Sequence, residues 1–169
     1  PLAGALRLLA RRRPGVQFAL AVAPGLDPRL FARALEGLPV VQVSGQTHAL
    51  MGTATLGLVA SGTATVEAAL LEMPMVVVYR LSSITYALGR PFVRVPHYAM
   101  ANLIAGRGVA KELIQKDFSP LKVADEALRL LDDAALRDKQ KAELRSVRKA
   151  LGPAGASARA AEVVAKLID

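Results

Sequence analysis

Residues 58–80 read LVASGTATVEAALLEMPMVVVYR, and this stretch decides the fold class. An apolar run ends at Ser61, a helical segment follows, and a second apolar run begins after Pro74. Short apolar strands joined by a helix of about ten residues are typical of a parallel sheet that is covered on both faces. The stretch therefore predicts one strand–helix–strand unit of an α/β protein.

The same alternation continues towards the N-terminus. Strands are predicted over residues 16–22, 40–43, 57–60 and 75–79, and helices over residues 2–13, 27–38, 46–54 and 63–72. Asp27-Pro28 is a helix cap followed by proline at the first helical position. Parallel strands separated by helices predict an α/β fold with a Rossmann-like, doubly wound parallel sheet.

The rhythm changes after Arg80. A helix is predicted over residues 82–89, followed by an irregular stretch through Asn102 to Gly106. Three helices are predicted at the C-terminal end, over residues 120–131, 134–151 and 156–168. We therefore predict a single domain, with an α/β core over residues 1–118 and C-terminal helices over residues 119–169.

Composition narrows the classes of function. The 169 residues include no cysteine, which excludes disulfides and thiolate zinc sites, and His48 and His97 match no metal-ligand spacing. We therefore predict no metal and no other cofactor. The net charge of +8 favours anionic partners such as phosphorylated small molecules or acidic lipid headgroups, with a merely basic surface as the alternative. Nucleic acid is disfavoured because the basic residues are scattered and not interleaved with aromatic ones.

Two further features of the sequence concern the location of the protein and the completeness of the domain. No apolar run is long enough to cross a bilayer and no signal peptide opens the sequence, so a cytoplasmic protein is predicted. A doubly wound domain normally begins with a strand and a glycine-rich turn, whereas this chain opens on a helix. We therefore expect at least one strand, if not a whole domain, to precede Pro1.

The turn at Ser61, Gly62 and Thr63 is the main candidate binding site. It follows a strand and opens a helix, where free backbone N–H groups and the positive helix end hold phosphate. A plain helix cap is the alternative, and the lysine of a P-loop is missing. Glu67 lies one turn further on, among apolar residues, where an acid is stabilised and placed to accept hydrogen bonds from sugar hydroxyls.

Three segments together resemble the lipid-A-disaccharide synthase family of GT-B glycosyltransferases: SGTATVEAALLEMPMVVVYR at 61–80, PFVRVPHYAMANLIAGR at 91–107 and KELIQ at 111–115. The similarity runs over about residues 37–118 and more loosely beyond. It implies the C-terminal, Rossmann-like GT-B domain that binds the nucleotide sugar. The implied inverting reaction moves diacylglucosamine from UDP-2,3-diacylglucosamine, the donor, onto the 6-hydroxyl of lipid X, the acceptor, giving lipid A disaccharide and UDP.

The resemblance also assigns roles by position. Ser61, Gly62 and Thr63 are implied to hold the diphosphate and Glu67 the uridine ribose. The backbone from Val43 to Gly45 is implied to recognise uracil.

Asn102 and Arg107 lie in the most recognisable segment of the family, and the resemblance implies that they reach donor sugar or phosphate oxygens. The alternative for Asn102 is a turn residue whose side chain bonds its own backbone. Two roles are left open for Arg80: it neutralises phosphate charge, or it has a capping role at the strand end. The family reads LPN where this chain has MAN at 100–102, and AGRE where it has AGRG at 105–108, which bears on the acyl-sugar that is bound.

No catalytic residue is assigned in this chain. The resemblance implies an N-terminal domain with the acceptor site and catalytic base, and that domain and the PGSR phosphate loop are absent here, so we expect no turnover from this chain alone. Alternatives are another GT-B UDP-sugar enzyme, such as a UDP-N-acetylglucosamine transferase or an epimerase, and a non-catalytic nucleotide-binding module. Arg90, Arg94 and their apolar neighbours suggest either peripheral contact with the inner face of the cytoplasmic membrane or an interdomain or subunit contact, and a homodimer is left open.

Overall fold

The computed structural model describes residues 1–82, 96–153 and 155–166, in which strands and helices alternate. The strands are β1 (Phe18–Val22), β2 (Val40–Ser44), β3 (Gly57–Ala60), β4 (Met75–Tyr79) and β5 (Lys111–Ile114). The helices are α1 (Leu2–Arg12), α2 (Ala32–Leu35), α3 (Thr47–Thr53), α4 (Thr63–Leu70), α5 (Met100–Ala105), α6 (Pro120–Asp132), α7 (Ala134–Leu151) and α8 (Ala156–Ala165), with 3₁₀ turns at Pro28–Phe31 and Gln115–Asp117.

All the strand pairs are parallel, which confirms the predicted α/β class. β1 pairs with β2, and β4 lies between β3 and β5. The described strands therefore form two parallel sheets, one of two strands and one of three, with no ladder joining β1 to β3.

The core lies on both faces of the three-stranded sheet. Residues 75–78 of β4 are all buried, because successive side chains of a strand point to opposite faces and both faces are covered. Val77 packs in a cluster with residues of α4, α5 and α7. Val76 and Val78 pack in a second cluster with residues of α1 and α6. Each such side chain contributes about 1.5–3 kcal/mol on burial.

Local signals explain where several helices begin and end. Arg11 and Arg12 occupy the last turn of α1, where cations complement the helix dipole. Gly4 lets α1 approach α6, since a Cβ there would lie 3.0 Å from Cγ of Pro120. Gly152 caps the C-terminal end of α7 and is followed by Pro153, the usual glycine-then-proline stop. Among the residues described, no helix combines the length and apolar composition needed to span a membrane.

The structure corrects the prediction at three places. The helix predicted over 27–38 is only a 3₁₀ turn followed by α2, because none of its residues is buried and a short helix is marginal without packing. The stretch predicted to be irregular contains α5, which is capped at its C-terminal end by Gly106 with φ of 66°. The prediction missed β5, whose four residues, KELI, include two charges.

Boundaries shift elsewhere by a few residues. The first strand begins at Phe18 instead of residue 16, and α4 ends at Leu70 instead of residue 72. The helix predicted to residue 168 is described to Ala165. Residues 83–95 lie outside the described residues. They include all but the first residue of the helix predicted over 82–89. They also include Arg90 and Arg94, the residues considered for membrane contact.

Candidate functional site

The turn between β3 and α4 leaves the carboxyl edge of the three-stranded sheet. The Ser61 N–H donates to Val78 O at 3.0 Å, which extends the β3–β4 ladder into the turn. Gly62 then adopts φ of 149° and ψ of −163°, a conformation that is nearly restricted to glycine. No side chain in the described part of the chain caps α4, so its first backbone N–H groups are left for solvent or a ligand.

The same turn is held against the segment that leads into α5. The Ser61 hydroxyl donates to Tyr98 O at 2.8 Å, and the Ala101 N–H donates to Thr65 Oγ1 at 3.4 Å. Thr65 is fully buried and its hydroxyl also donates to Gly62 O at 2.7 Å. Thr63, in contrast, is exposed. The turn is therefore held by hydrogen bonds on its inner side and open on its outer side.

Glu67 lies four residues after Thr63, on the same side of α4. Its Oε2 is 3.0 Å from Nε2 of His48, and the two side chains are 41% and 73% exposed. His48 belongs to α3, which begins just after the segment Val43–Gly45. Glu67, the acid predicted to bind the ribose, is thus in contact with the helix that follows Val43–Gly45, the segment predicted to bind uracil.

Asn102 is buried, and its side chain is fully occupied by hydrogen bonds to residues 109–112. Nδ2 donates to Ala110 O at 2.8 Å and to Glu112 Oε1 at 2.6 Å. Oδ1 accepts the N–H groups of Val109 and Ala110, both at 2.9 Å. Asn102 therefore lies in a helix and bonds residues 109–112, which differs from the alternative of a turn residue that bonds its own backbone. The contact of Asn102 with a sugar or phosphate stays a prediction.

Glu112 is the residue that the sequence reasoning missed. Its carboxylate accepts from Tyr98 N at 2.9 Å and Ala99 N at 3.1 Å, in addition to Asn102, and it lies 3.8 Å from Nδ1 of His97. The side chain is only 12% exposed. An acid in a strand that is covered on both faces would have indicated Glu112, but strand β5 was not predicted.

The two arginines considered for the site make other contacts. Arg107 donates from Nε to Glu143 Oε2 at 2.8 Å, so its guanidinium lies against α7 instead of the turn. Arg80 donates to Phe118 O at 2.6 Å and its guanidinium lies 5.3 Å from the centroid of the Phe118 ring. The contacts of Arg80 are those of the capping role.

The arrangement offers chemistry for binding an anion and a sugar. Open N–H groups and the Thr63 hydroxyl are donors, and the Glu67 carboxylate is an acceptor for hydroxyl groups. Within residues 1–82, 96–153 and 155–166, no three His, Asp or Glu side chains come together as metal ligands.

Comparison with known proteins gives consistent matches over the whole chain. A family model described as lipid-A-disaccharide synthetase matches residues 2–167. The lipid-A-disaccharide synthase of Anaeromyxobacter dehalogenans (strain 2CP-C) is 44% identical over 167 residues, which are 97% of this chain and 44% of that protein. The protein of that name from Myxococcus xanthus (strain DK1622) is 39% identical over 166 residues, 97% of this chain and 43% of its own length. The chain thus spans less than half the length of these curated relatives.

Proposed function

Because the chain belongs to the lipid-A-disaccharide synthase family, we propose that it forms the donor-binding half of a glycosyltransferase of lipid A biosynthesis. The proposed reaction transfers diacylglucosamine from UDP-2,3-diacylglucosamine to lipid X and releases UDP. The family match favours this function over another UDP-sugar transferase or an epimerase.

The open N-terminus of α4, with Glu67 one turn along it, is the observation that carries the proposal. The diphosphate would accept hydrogen bonds from the N–H groups at Gly62, Thr63 and Ala64, and the ribose hydroxyls would donate to Glu67. The backbone of Val43–Gly45 would contact uracil.

The expected affinity is weak. An anion at a helix end gains about 0.3–1 kcal/mol, and up to about 2 kcal/mol when partly buried. A hydrogen bond to a charged group adds about 1.5–3 kcal/mol. Together these terms correspond to dissociation constants near the millimolar range, where the binding free energy is about −4 kcal/mol.

The site would assist the reaction through the leaving group. As the bond from the anomeric carbon to the diphosphate oxygen breaks, negative charge develops on UDP, and the fixed N–H groups and helix dipole stabilise it. The acceptor hydroxyl attacks from the opposite face, which inverts the anomeric configuration. We place the base that activates it in sequence outside this chain.

Asn102 and Arg107 take part in the proposal in different ways. Asn102 holds the segment that bonds to Ser61 and Thr65, so it orients the turn. Arg107 would release Glu143 and bind an oxygen of the donor instead. A guanidinium suits such a bidentate contact. Contact with the inner face of the cytoplasmic membrane is proposed for Arg90 and Arg94.

Calorimetric titration with UDP tests the donor site. We expect Glu67→Gln to weaken binding about tenfold, since about 1.4 kcal/mol of charged hydrogen bonding to the ribose is lost. The matched control is Glu36→Gln, which removes one negative charge from an exposed acid beyond the end of α2. Equal affinities in Glu67→Gln and the unchanged chain would contradict the assignment.

Turnover separates the transferase from a non-catalytic module. The chain is fused to the part of the Anaeromyxobacter dehalogenans relative that it does not match, and UDP release from UDP-2,3-diacylglucosamine is assayed with lipid X. We expect release that requires both lipids in the fusion and no release from the chain alone. Turnover by the chain alone would show that the base lies within residues 1–169.

A further inference from the structure

A carboxylate lies beneath the start of α5, on the face of the sheet that α5 covers. Glu112 of β5 stands in register with Val77 of β4, and Val77 packs in the cluster that includes residues of α5. Residues in register on neighbouring parallel strands point to the same face, so the Glu112 side chain is directed at α5. An acid is rarely this well buried unless its charge is compensated by hydrogen bonds or an ion pair. The partners of Glu112 are therefore informative.

Both oxygens of the Glu112 carboxylate accept hydrogen bonds from the start of α5. Oε2 accepts the Tyr98 N–H at 2.9 Å, and Oε1 accepts the Ala99 N–H at 3.1 Å. Oε1 also accepts Nδ2 of Asn102 at 2.6 Å. Hydrogen bonds to an ionised acceptor are stronger than those between neutral groups. Glu112 therefore fixes the backbone that leads into α5.

The peptide unit between Tyr98 and Ala99 connects Glu112 to the turn after β3. Its N–H, that of Ala99, donates to Glu112, and its carbonyl oxygen, that of Tyr98, accepts the Ser61 hydroxyl at 2.8 Å. A peptide unit is planar, so holding its N–H also sets the direction of its C=O. Hydrogen bonds in such a chain polarise one another, which makes the carbonyl a better acceptor. Glu112 thus reaches Ser61 through a single peptide unit.

The Ser61 hydroxyl is committed to this connection. A hydroxyl has one proton to donate, and a carbonyl oxygen can only accept, so the proton of Ser61 points to Tyr98 O. While this bond holds, the Ser61 side chain has no proton for a phosphate oxygen. Its contact supports the turn from the inner side, and the backbone N–H groups of the turn are left for a ligand.

We propose that Glu112 is a positioning residue of the donor site, which acts on the turn at Gly62 through the Tyr98–Ala99 peptide unit and the Ser61 hydroxyl. This inference rests on the proposed function. The N–H groups of Gly62 and Thr63 bind one phosphate only when both point at it, and such groups need hydrogen bonds behind them to hold their geometry to within about 0.5 Å. Glu112 and Ser61 supply that support without touching the nucleotide.

Glu112→Gln tests the connection without a change in the size of the side chain. Glutamine has one oxygen and one NH₂ group, so the Tyr98 or the Ala99 N–H would face a donor instead of an acceptor. The matched control is Glu126→Gln on α6. Glu126 is 14% exposed, against 12% for Glu112, and it also accepts with both oxygens, from Arg129 at 2.6 and 3.1 Å.

Ser61→Ala removes the other end of the connection. Combined with Glu112→Gln it gives a double-mutant cycle, which shows whether the two changes act through one path. Two quantities are measured on the ¹⁵N-labelled chain and each variant: the backbone amide chemical shifts without ligand, and the dissociation constant of UDP by titration.

The two single variants should resemble each other and differ from the control. Without ligand, we expect the Gly62 and Thr63 amides to shift in both single variants and to keep their positions in Glu126→Gln. Each single variant should weaken UDP binding about five- to tenfold, the value of one hydrogen bond. The double variant should be within about twofold of the weaker single one, because both changes break the same connection.

Three results would overturn the proposal. The first is a Glu112→Gln variant, folded by circular dichroism, with unchanged Gly62 and Thr63 shifts and unchanged UDP affinity. The second is equal weakening of UDP binding by Glu126→Gln, which would assign the effect to charge alone. The third is a double variant whose loss of affinity is the product of the two single losses, which would show two independent effects.

Two further outcomes are decided by the same samples. If Glu112→Gln does not fold, the Ala99 amide of Ser61→Ala reports on the connection from its other end: a shift together with weakened UDP binding supports it, and an unchanged position overturns it. Absence of UDP binding by the unchanged chain would contradict the donor site itself. Shifts of the Gly62 amide in ligand-free Glu112→Gln would then still support the connection between Glu112 and the turn.

Discussion

The N-termini of α4 and α6 differ in how they are capped. At α6, the Ser119 hydroxyl accepts the Lys122 N–H at 3.3 Å and Pro120 occupies the first turn, so the helix supplies its own cap. At α4, Gly62 precedes the helix and no described side chain caps it. Among the described helices, α1, α2, α3, α5 and α8 also lack a side-chain cap. The open end of α4 is distinguished by its place: it lies at the carboxyl edge of the sheet, one turn from an acid.

The largest expected effect is on the support of the open helix end. Asn102→Ala removes four hydrogen bonds, leaves the buried Ala110 N–H without its acceptor and takes a donor from the Glu112 carboxylate, whereas the Val109 N–H keeps Arg107 O at 3.0 Å. At about 1–3 kcal/mol for each unsatisfied group, we expect a loss of about 2–4 kcal/mol. Chemical denaturation measures the free energy of unfolding. A loss below about 0.5 kcal/mol would mean that Asn102 does not hold this loop.

The next effect separates backbone strain from ligand binding. Gly62 and Gly152 both have positive φ with ψ near 180°, and an added Cβ would meet no atom within 4 Å at either position. Alanine at each should cost about 1–3 kcal/mol of stability through the backbone alone. Only Gly62→Ala should also weaken UDP binding, as measured by calorimetry. Equal UDP affinities in the two variants would contradict the role of the turn.

A smaller effect tests the closed helix end. Ser119→Ala should destabilise the protein by about 1 kcal/mol, the usual value of an N-cap side chain, and leave UDP affinity unchanged. Thermal unfolding and UDP titration of the same variant give both quantities. Weakened UDP binding here would remove the distinction between the two ends.

The smallest effect is a pH dependence at a second closed cap, Asp27. The side chain of Arg29, and then its backbone N–H, hold the pKa of this exposed carboxyl below its usual value. A lowered folded pKa means that the stabilisation is present above the unfolded pKa of about 3.9 and is lost as the pH falls through the folded value. The difference in unfolding free energy between the unchanged chain and Asp27→Asn should therefore shrink below about pH 4. A difference that stays constant down to pH 2 would contradict the cap.

Local pattern accounts for the parts of the fold that were predicted. Strands β1 to β4 are short apolar runs bounded by turn residues, and α6 and α7 begin at the predicted residues 120 and 134, directly after the side-chain caps Ser119 and Asp133. The prediction of a helix over residues 27–38 was wrong because a correct N-cap at Asp27 cannot replace the burial of an apolar face. Strand β5 was missed because the partner of Lys111 and Glu112 is β4, more than thirty residues earlier in the chain.

The candidate site divides in the same way. The turn at Ser61–Thr63 and Glu67 were visible because glycine, hydroxyl groups and an acid fall within seven residues. The contact of Glu67 with His48, and that of Glu112 with Asn102, join different elements and leave no periodic trace. Tertiary packing alone decides such pairs.

Titration of the ¹⁵N-labelled chain with UDP, followed by backbone amide chemical shifts, tests the account most directly. We predict that the amides of Gly62, Thr63 and Ala64 shift, while those of Leu121 and Lys122 at the start of α6 do not. Shifts at α6 as large as those at α4, or none at Gly62–Ala64 at saturating UDP, would contradict the claim that the open end of α4 holds the donor nucleotide.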